Sequence, residues 1–128
     1  NLPMALVTSS SAESVAFKTA PHAWLEVIQT RVFGDDSLLR AGKPAPDGFL
    51  LAAERLRVNP NDCWALEDSL AGTQAALAAG CQVWVLGVNK KEVDPNTIPS
   101  LTNPMHISQL NTVTEKLNQG WRSLQRSQ

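Results

Sequence analysis

The sequence lacks the features of several protein classes. Its 128 residues contain two cysteines, Cys63 and Cys81, each among apolar neighbours and too few to indicate a disulfide scaffold. We interpret them as buried thiols in a reducing cytoplasm, in preference to a disulfide. Apolar runs of membrane-spanning length are absent as well, and we expect neither a membrane span nor a secretory leader.

An excess of charge of one sign is also absent. Eleven Lys and Arg residues balance twelve Asp and Glu residues, giving a net charge of -1. Such a balance does not indicate a nucleic-acid surface, so we expect neither nucleic acid nor a membrane as a partner. The hydrophobic content of 43% and charged content of 18% are typical of one soluble globular domain with a single core.

Short apolar runs alternate with stretches of helical periodicity. This alternation predicts a parallel, doubly wound, three-layer α/β sheet, which binds ligands beyond the carboxyl ends of its strands. We expect Trp64 and Trp84, inside two of these strands, to lie in the core. The predicted strands lie in "MALVTSS", which ends in hydroxyls, in "TRVFGDD", which is closed by turn residues, and in "CWALED", "CQVWVLGV" and "HISQL".

Capping signals set the predicted helix ends. Ser10 with Glu13 fits a capping box, and a second such box opens a final helix near residues 112–124. Pro46 lies in the first turn of a helix that runs to Leu56. In "SLAGTQAALAAG", Ser69 is the expected N-cap of a helix and Gly80 is its expected C-terminal stop.

Thr8, Ser9 and Ser10 form the first of three polar groups at predicted strand ends. Hydroxyls, free backbone N–H groups and the positive end of a helix dipole together suit an anion such as phosphate. Ordinary helix capping explains the same residues, so this group alone decides little.

Lys43 in "GKPAPDGF" is the second group. The flanking Gly42 and Pro44 restrict the loop and would aim the ammonium group in one direction. There it could neutralise a phosphate or an aspartate, although a single lysine is more often merely solvated.

Glu67 and Asp68 form the third group, directly after a predicted strand. Two adjacent carboxylates disfavour ionisation unless a positive charge lies between them, and Mg²⁺ with a phosphate would supply it. A solvated acidic turn that caps the next helix is the alternative.

The order of these groups resembles the haloacid dehalogenase (HAD) superfamily, in its phosphatase and phosphoglucomutase-like branch. "ALVTSS" is similar to the second motif of that family, "GKPAPDGF" to its third and "WALEDSLAGTQAALAAG" to its fourth. The resemblance implies that Thr8 binds the transferred phosphoryl group with the Ser9 amide, and that Lys43 ties this group to the nucleophile. It implies further that Glu67 and Asp68 hold Mg²⁺, Asp68 more directly.

The first motif of the family, with its nucleophilic aspartate, has no counterpart in this sequence. Asp35 and Asp36 are adjacent without the required gap and lie between the second and third motifs, so we interpret them as a turn or the rim of a pocket. The helical cap of this branch is missing too. Together with an apolar run that starts almost at Asn1, this predicts that residues 1–128 are the C-terminal portion of a single HAD-like core domain, inactive alone.

The missing motif has a structural consequence. In the family its strand lies between the strand ending at Thr8 and the strand ending at Glu67, and two inner strands without it would expose unpaired backbone groups. We therefore predict that the chain closes the gap by rearrangement, pairs with another chain or copy, or folds with an additional N-terminal segment.

Three functions remain open for the parent protein. The first is a cytoplasmic Mg²⁺-dependent phosphatase that hydrolyses a small phosphate monoester, a phosphorylated metabolite, through a phosphoaspartate. A sugar-phosphate mutase of the same family and a non-catalytic phosphate- or partner-binding module are the alternatives. A signalling receiver domain is disfavoured because its acidic pair would come first and its hydroxyl later.

Overall fold

The computed structural model describes residues 2–86 and a strand at Met105–Ile107. Strands and helices alternate along the first of these ranges, as predicted, and the last predicted helix lies outside the described residues. In chain order the elements are β1 (Ala5–Val7), α1 (Ala12–Thr19), a 3₁₀ helix (Ala23–Val27), β2 (Thr30–Val32), α2 (Asp47–Leu56), a second 3₁₀ helix (Pro60–Asp62), β3 (Trp64–Glu67), α3 (Leu70–Ala78), β4 (Gln82–Leu86) and β5 (Met105–Ile107).

Capping residues account for the ends of the helices. The prediction for α3 is confirmed: the Ser69 side chain accepts a hydrogen bond from the Gly72 N–H, and Gly80 follows the helix with a φ of 94°. The prediction for α1 is wrong by one residue, because its N-cap is Ser11, which accepts from the Ser14 N–H. Ser10 is already engaged in the turn after β1, where its N–H donates to the Thr8 hydroxyl oxygen.

The strands form two parallel sheets. In the first, β1 pairs with β2; in the second, β4 lies between β3 and β5. Parallel pairing with intervening helices confirms the predicted α/β class. Helix α2 packs on β1 and β2, α3 packs on β3 and β4, and the two helices contact each other.

The larger apolar core lies between the second sheet and α3. Val83, Trp84 and Val85 are consecutive buried residues of β4, which confirms that this strand is buried on both faces. The core cluster against α3 consists of Ala65, Ala76, Ala79, Cys81, Val83 and Val85. Small side chains on the α3 side allow this helix to lie close to the sheet.

Trp64 corrects a prediction. It is 38% exposed, whereas Trp84, whose ring centroid lies 5.2 Å from that of Trp64, is 3% exposed. The burial of β3 alternates, with Ala65 and Glu67 buried and Trp64 and Leu66 exposed. Within the described residues, one face of β3 is therefore covered by α3 and the other face is open where Trp64 lies.

No hydrogen-bonded ladder joins β1 to β3 among the described strands. The two sheets therefore stay separate at the position where the sequence predicts a missing strand, which agrees with an incomplete α/β core. The described strands therefore do not close the gap by rearrangement. Pairing with another chain or with an additional segment stays a prediction.

Both cysteines are free thiols, as predicted. Cys81 is buried, whereas Cys63, just before β3, is only partly buried. The prediction that both thiols are buried is therefore correct for Cys81 alone. In the part of the chain that the structure describes, no helix has the length and apolar character needed to span a membrane.

Candidate active site

The turn after β1 carries the first group of predicted residues. The Thr8 N–H donates to the Val32 carbonyl at 3.0 Å, which extends the pairing with β2 by one residue. The Thr8 hydroxyl oxygen accepts from the Ser10 N–H at 3.1 Å, and Ser9 between them is exposed. Because a hydroxyl that accepts one bond can still donate its own hydrogen, Thr8 remains able to bind an anion.

Gly34, after β2, holds this turn from one side. Its N–H donates to the Ser10 carbonyl at 2.8 Å. A Cβ at Gly34 would lie 2.1 Å from the Ser9 carbonyl oxygen, far inside contact distance. Residue 34 must therefore be glycine for the two backbones to approach this closely.

Lys43 links the ends of β1 and β3. Its ammonium group donates to the Val7 carbonyl at 3.2 Å and forms a short ion pair with the Glu67 carboxylate. The ammonium also lies 5.2 Å from the centre of the Phe49 ring, a cation–π distance. With its side chain 15% exposed and three partners around it, Lys43 is directed by the fold, as the sequence predicts, and is not merely solvated.

Glu67 is held against the first turn of α3. Its side chain is 7% exposed, and besides Lys43 it accepts a hydrogen bond from the Ser69 hydroxyl at 3.4 Å. A Cβ at Gly72 would lie 1.8 Å from one Glu67 oxygen, so a side chain at this helix position would displace the carboxylate. Buried carboxylates require such charge and hydrogen-bond partners, and the positive end of α3 adds to them.

Asp68 differs from its neighbour because it is exposed at the carboxyl end of β3. Among residues 2–86 no cluster of three His, Cys, Asp or Glu side chains could hold a metal ion. One exposed and one paired carboxylate nevertheless fit Mg²⁺, which is commonly held by one or two carboxylates together with water and phosphate oxygens. The donors of this site are therefore compatible with Mg²⁺ bound together with a phosphate.

A small pocket of about 90 Å³ lies where these elements meet. It brings together three of the predicted residues, Thr8, Ser9 and Lys43, and Lys43 in turn contacts Glu67. Asp68 does not line this pocket but adjoins Glu67 in the chain. The complete lining is Val7, Thr8, Ser9, Val32, Gly34, Leu39, Ala41, Gly42, Lys43 and Gly48.

Sequence reasoning missed several residues that shape this pocket. Neither Gly34 nor Gly72 is among the predicted site residues, although a glycine three residues after the expected N-cap Ser69 is a usable signal. The Val7 carbonyl carries no side-chain signal, so its contact with Lys43 appears only in the folded chain.

Comparison with known proteins identifies the family. The family model described as haloacid dehalogenase-like hydrolase matches residues 1–80. The chain belongs to the haloacid dehalogenase-like hydrolase family. This match confirms the predicted resemblance and includes the two glycines that the geometry singles out.

Individual relatives of this chain are named as phosphatases and as a mutase. Hexitol phosphatase A of Escherichia coli (strain K12) is 33% identical over 117 residues, covering 91% of this chain and 51% of that protein. The β-phosphoglucomutase of Bacillus subtilis (strain 168) is 38% identical over 88 residues, covering 68% of this chain and 35% of that protein.

A solved structure in the same family also matches. CbbY from Rhodobacter sphaeroides, in complex with phosphate, aligns with a TM-score of 0.65 and 27% identity over 83% of this chain and 46% of that chain. The chain thus spans about half, or less, of the length of these relatives.

Proposed function

We propose that this chain supplies the phosphate- and magnesium-binding part of a phosphatase that hydrolyses small phosphate monoesters. The observation that carries the proposal is the Lys43 ammonium, which joins the turn after β1 to the acidic end of β3 beside one pocket. Membership of the hydrolase family and relatives named as phosphatases support it.

The proposal assigns a role to each of the five predicted site residues. The Thr8 hydroxyl and the Ser9 N–H bind oxygens of the phosphoryl group, and the Lys43 ammonium neutralises the charge that builds up during transfer. Glu67 fixes the position of Lys43 through their ion pair. Mg²⁺, held by Asp68 and Glu67, would act as a Lewis acid toward the phosphoryl oxygens.

The attacking group lies outside this sequence in the proposed mechanism. By resemblance to the family it is an aspartate that forms a phosphoaspartate, which water then hydrolyses. Its strand would pair between β1 and β3, the two strands that no described ladder connects. An additional N-terminal segment is the proposed source of this strand, and a different chain that carries the motif is the alternative, since a second copy of residues 1–128 has the same sequence and lacks the aspartate.

Two further parts of the proposal concern partner and location. We propose a small phosphorylated metabolite as substrate, since Thr8, Ser9 and Lys43 line one pocket and a relative is named hexitol phosphatase A. We also infer a reducing, cytoplasmic setting, because Cys63 and Cys81 are both free thiols.

The test uses the protein produced from the complete coding region that contains this sequence. Phosphate monoesters are screened for release of inorganic phosphate with and without Mg²⁺, and we expect Mg²⁺-dependent turnover. We expect Asp68→Asn and Lys43→Ala to lower kcat by at least about 100-fold, since each removes a group that stabilises transferred charge. Asp62→Asn removes an exposed carboxylate from the opposite end of β3 and is the matched control.

The outcomes separate the alternatives. Full turnover in both Asp68→Asn and Lys43→Ala would contradict the proposal. Phosphate binding without turnover of any ester would favour the non-catalytic module. Conversion of a sugar monophosphate into its isomer would favour the mutase, which the Bacillus relative makes a candidate.

A further inference from the structure

An ion pair outside the pocket joins the loop that follows β2 to helix α2. The Arg55 guanidinium, in the last turns of α2, binds the Asp36 carboxylate with two hydrogen bonds of 2.7 and 3.0 Å. The same guanidinium donates to the Arg31 carbonyl at 2.8 Å. Neither Asp36 nor Arg55 lines the pocket, so direct contact with a bound phosphate does not explain this pair.

The Asp36 carboxylate is more constrained than a typical surface acid. Its side chain is 10% exposed, and it also accepts a hydrogen bond from the Leu38 N–H at 3.1 Å. These bonds, first those from Arg55 and then the one from Leu38, lower the pKa of Asp36 below its ordinary value. The geometry alone shows that both oxygens of Asp36 are engaged, which fixes residue 36 relative to α2.

The segment just before Asp36 holds the phosphate-binding turn. Gly34 donates to the Ser10 carbonyl at 2.8 Å, and the Asp35 carboxylate accepts from the Ala12 N–H at 2.9 Å. Two consecutive residues of this loop therefore contact the turn at Ser10 and the start of α1. A shift of the loop would move the Ser9 and Ser10 amides relative to Lys43.

We propose that Asp36 and Arg55 are positioning residues for phosphate binding, which they promote by fixing residues 34–36 against the turn at residues 8–10. This inference rests on the proposed function of that turn. A bidentate Arg–carboxylate pair suits the task because its two parallel hydrogen bonds define direction as well as distance.

The test measures the dissociation constant of inorganic phosphate for the protein produced from the complete coding region that contains this sequence, by NMR titration followed at the Ser9 and Ser10 amide signals. Signals of the folded state report the affinity of folded molecules alone, so a change in stability by itself does not alter the result. We expect Asp36→Asn and Arg55→Gln each to weaken phosphate binding by about threefold to tenfold, the effect of one lost charge-assisted contact.

The sign of the Asp36→Asn effect is the decisive readout. This substitution removes a negative charge, so long-range electrostatics alone would make phosphate bind more tightly. Positioning predicts the opposite change. Glu54→Gln removes an exposed negative charge from the same helix as Arg55 and is the matched control, for which we expect equal or slightly tighter binding.

Two additional variants identify the contact responsible. Arg55→Lys keeps the charge but not the paired donors, and we expect an affinity between those of the original chain and Arg55→Gln. The double variant Asp36→Asn/Arg55→Gln should weaken phosphate binding by less than the product of the two single effects, because each substitution already removes the ion pair that the two residues share.

The possible failures are distinguishable. If phosphate leaves the Ser9 and Ser10 signals of the folded original chain unchanged, the proposed phosphate site is wrong and the inference falls with it. If the original chain binds phosphate but Asp36→Asn binds it equally well or better, the site stands and the positioning role is overturned.

Discussion

The two sheets hold their parts of the site by different means. Around β1 and β2, hydrogen bonds from Gly34 to Ser10 and from Ala12 to Asp35 hold the turn and the start of α1, and the Asp36–Arg55 pair fixes the same loop to α2. Around β3 and β4, Glu67 is placed by a strand that packs on α3 through a contiguous apolar core. Polar contacts depend on direction and pH, whereas apolar packing depends on volume, so different substitutions should disturb each half.

Gly34→Ala should have the largest effect, in the polar half. The new Cβ would meet the Ser9 backbone, which cannot rotate away as a side chain could. We expect the free energy of unfolding to fall by about 2–3 kcal/mol, with large shifts of the Ser9 and Ser10 amide signals. Urea denaturation and amide NMR spectra measure the two quantities.

The control for this substitution is Gly42→Ala, since a Cβ at Gly42 has no atom within 4 Å. We expect its free energy of unfolding to stay within about 0.5 kcal/mol of the original chain. Equal stability of Gly34→Ala and Gly42→Ala would refute the close approach described for Gly34.

Gly72→Ala tests the apolar half and should have a smaller net effect. The Cβ would displace the Glu67 carboxylate, but alanine also favours the helix by up to about 1 kcal/mol relative to glycine. We expect a net loss of about 1–2 kcal/mol in the free energy of unfolding, together with a changed signal of the Lys43 side chain. A gain in stability would mean that Glu67 moves aside without cost.

Acid should loosen the polar half first. The pKa of Asp36 is lowered from 3.8, chiefly by its hydrogen bonds with Arg55, so its contribution to stability is complete above pH 3.8 and is lost as the pH falls below that value. In NMR spectra recorded from pH 5 to pH 2, we expect the Gly34 and Ser10 signals to change below pH 3.8, before those of Val83 and Val85. In Asp36→Asn this early change of the Gly34 and Ser10 signals should be absent. If the change persists, a different acidic residue causes it.

The smallest effect distinguishes the two thiols. Burial, with a smaller contribution from Cys63, raises the pKa of Cys81 to about 11, so roughly one thiol in a thousand is ionised at pH 8. Burial also raises the pKa of Cys63, but this residue is partly accessible. We expect iodoacetamide to modify Cys63 first, as shown by mass spectrometry of the digested chain; equal rates would contradict the burial of Cys81.

Local sequence patterns predicted the elements but not all of their environments. Ser69 and Gly80 bound α3 as expected, because caps depend on neighbouring residues alone. The start of α1 moved to Ser11 because Ser10 bonds to Gly34, a residue 24 positions away that no capping rule considers. Trp64 is exposed because its burial depends on what covers the sheet, which the strand pattern does not specify.

The site shows the same division. The residue types and order of Thr8, Lys43, Glu67 and Asp68 indicate phosphate and magnesium chemistry from the sequence alone. No sequence motif singles out Arg55, because its role depends on an ion pair with Asp36, 19 positions earlier, that forms only in the folded chain. Motifs therefore identified groups that could meet a ligand, whereas the residues that hold those groups emerged from tertiary contacts.

The Lys43 ammonium carries three hydrogens, and the Val7 carbonyl and the Glu67 carboxylate engage two of them. The third can serve an incoming acceptor while the lysine keeps both existing bonds. A ligand with an acceptor oxygen would thus bind to a donor that is already oriented, and the chain would need little rearrangement on binding.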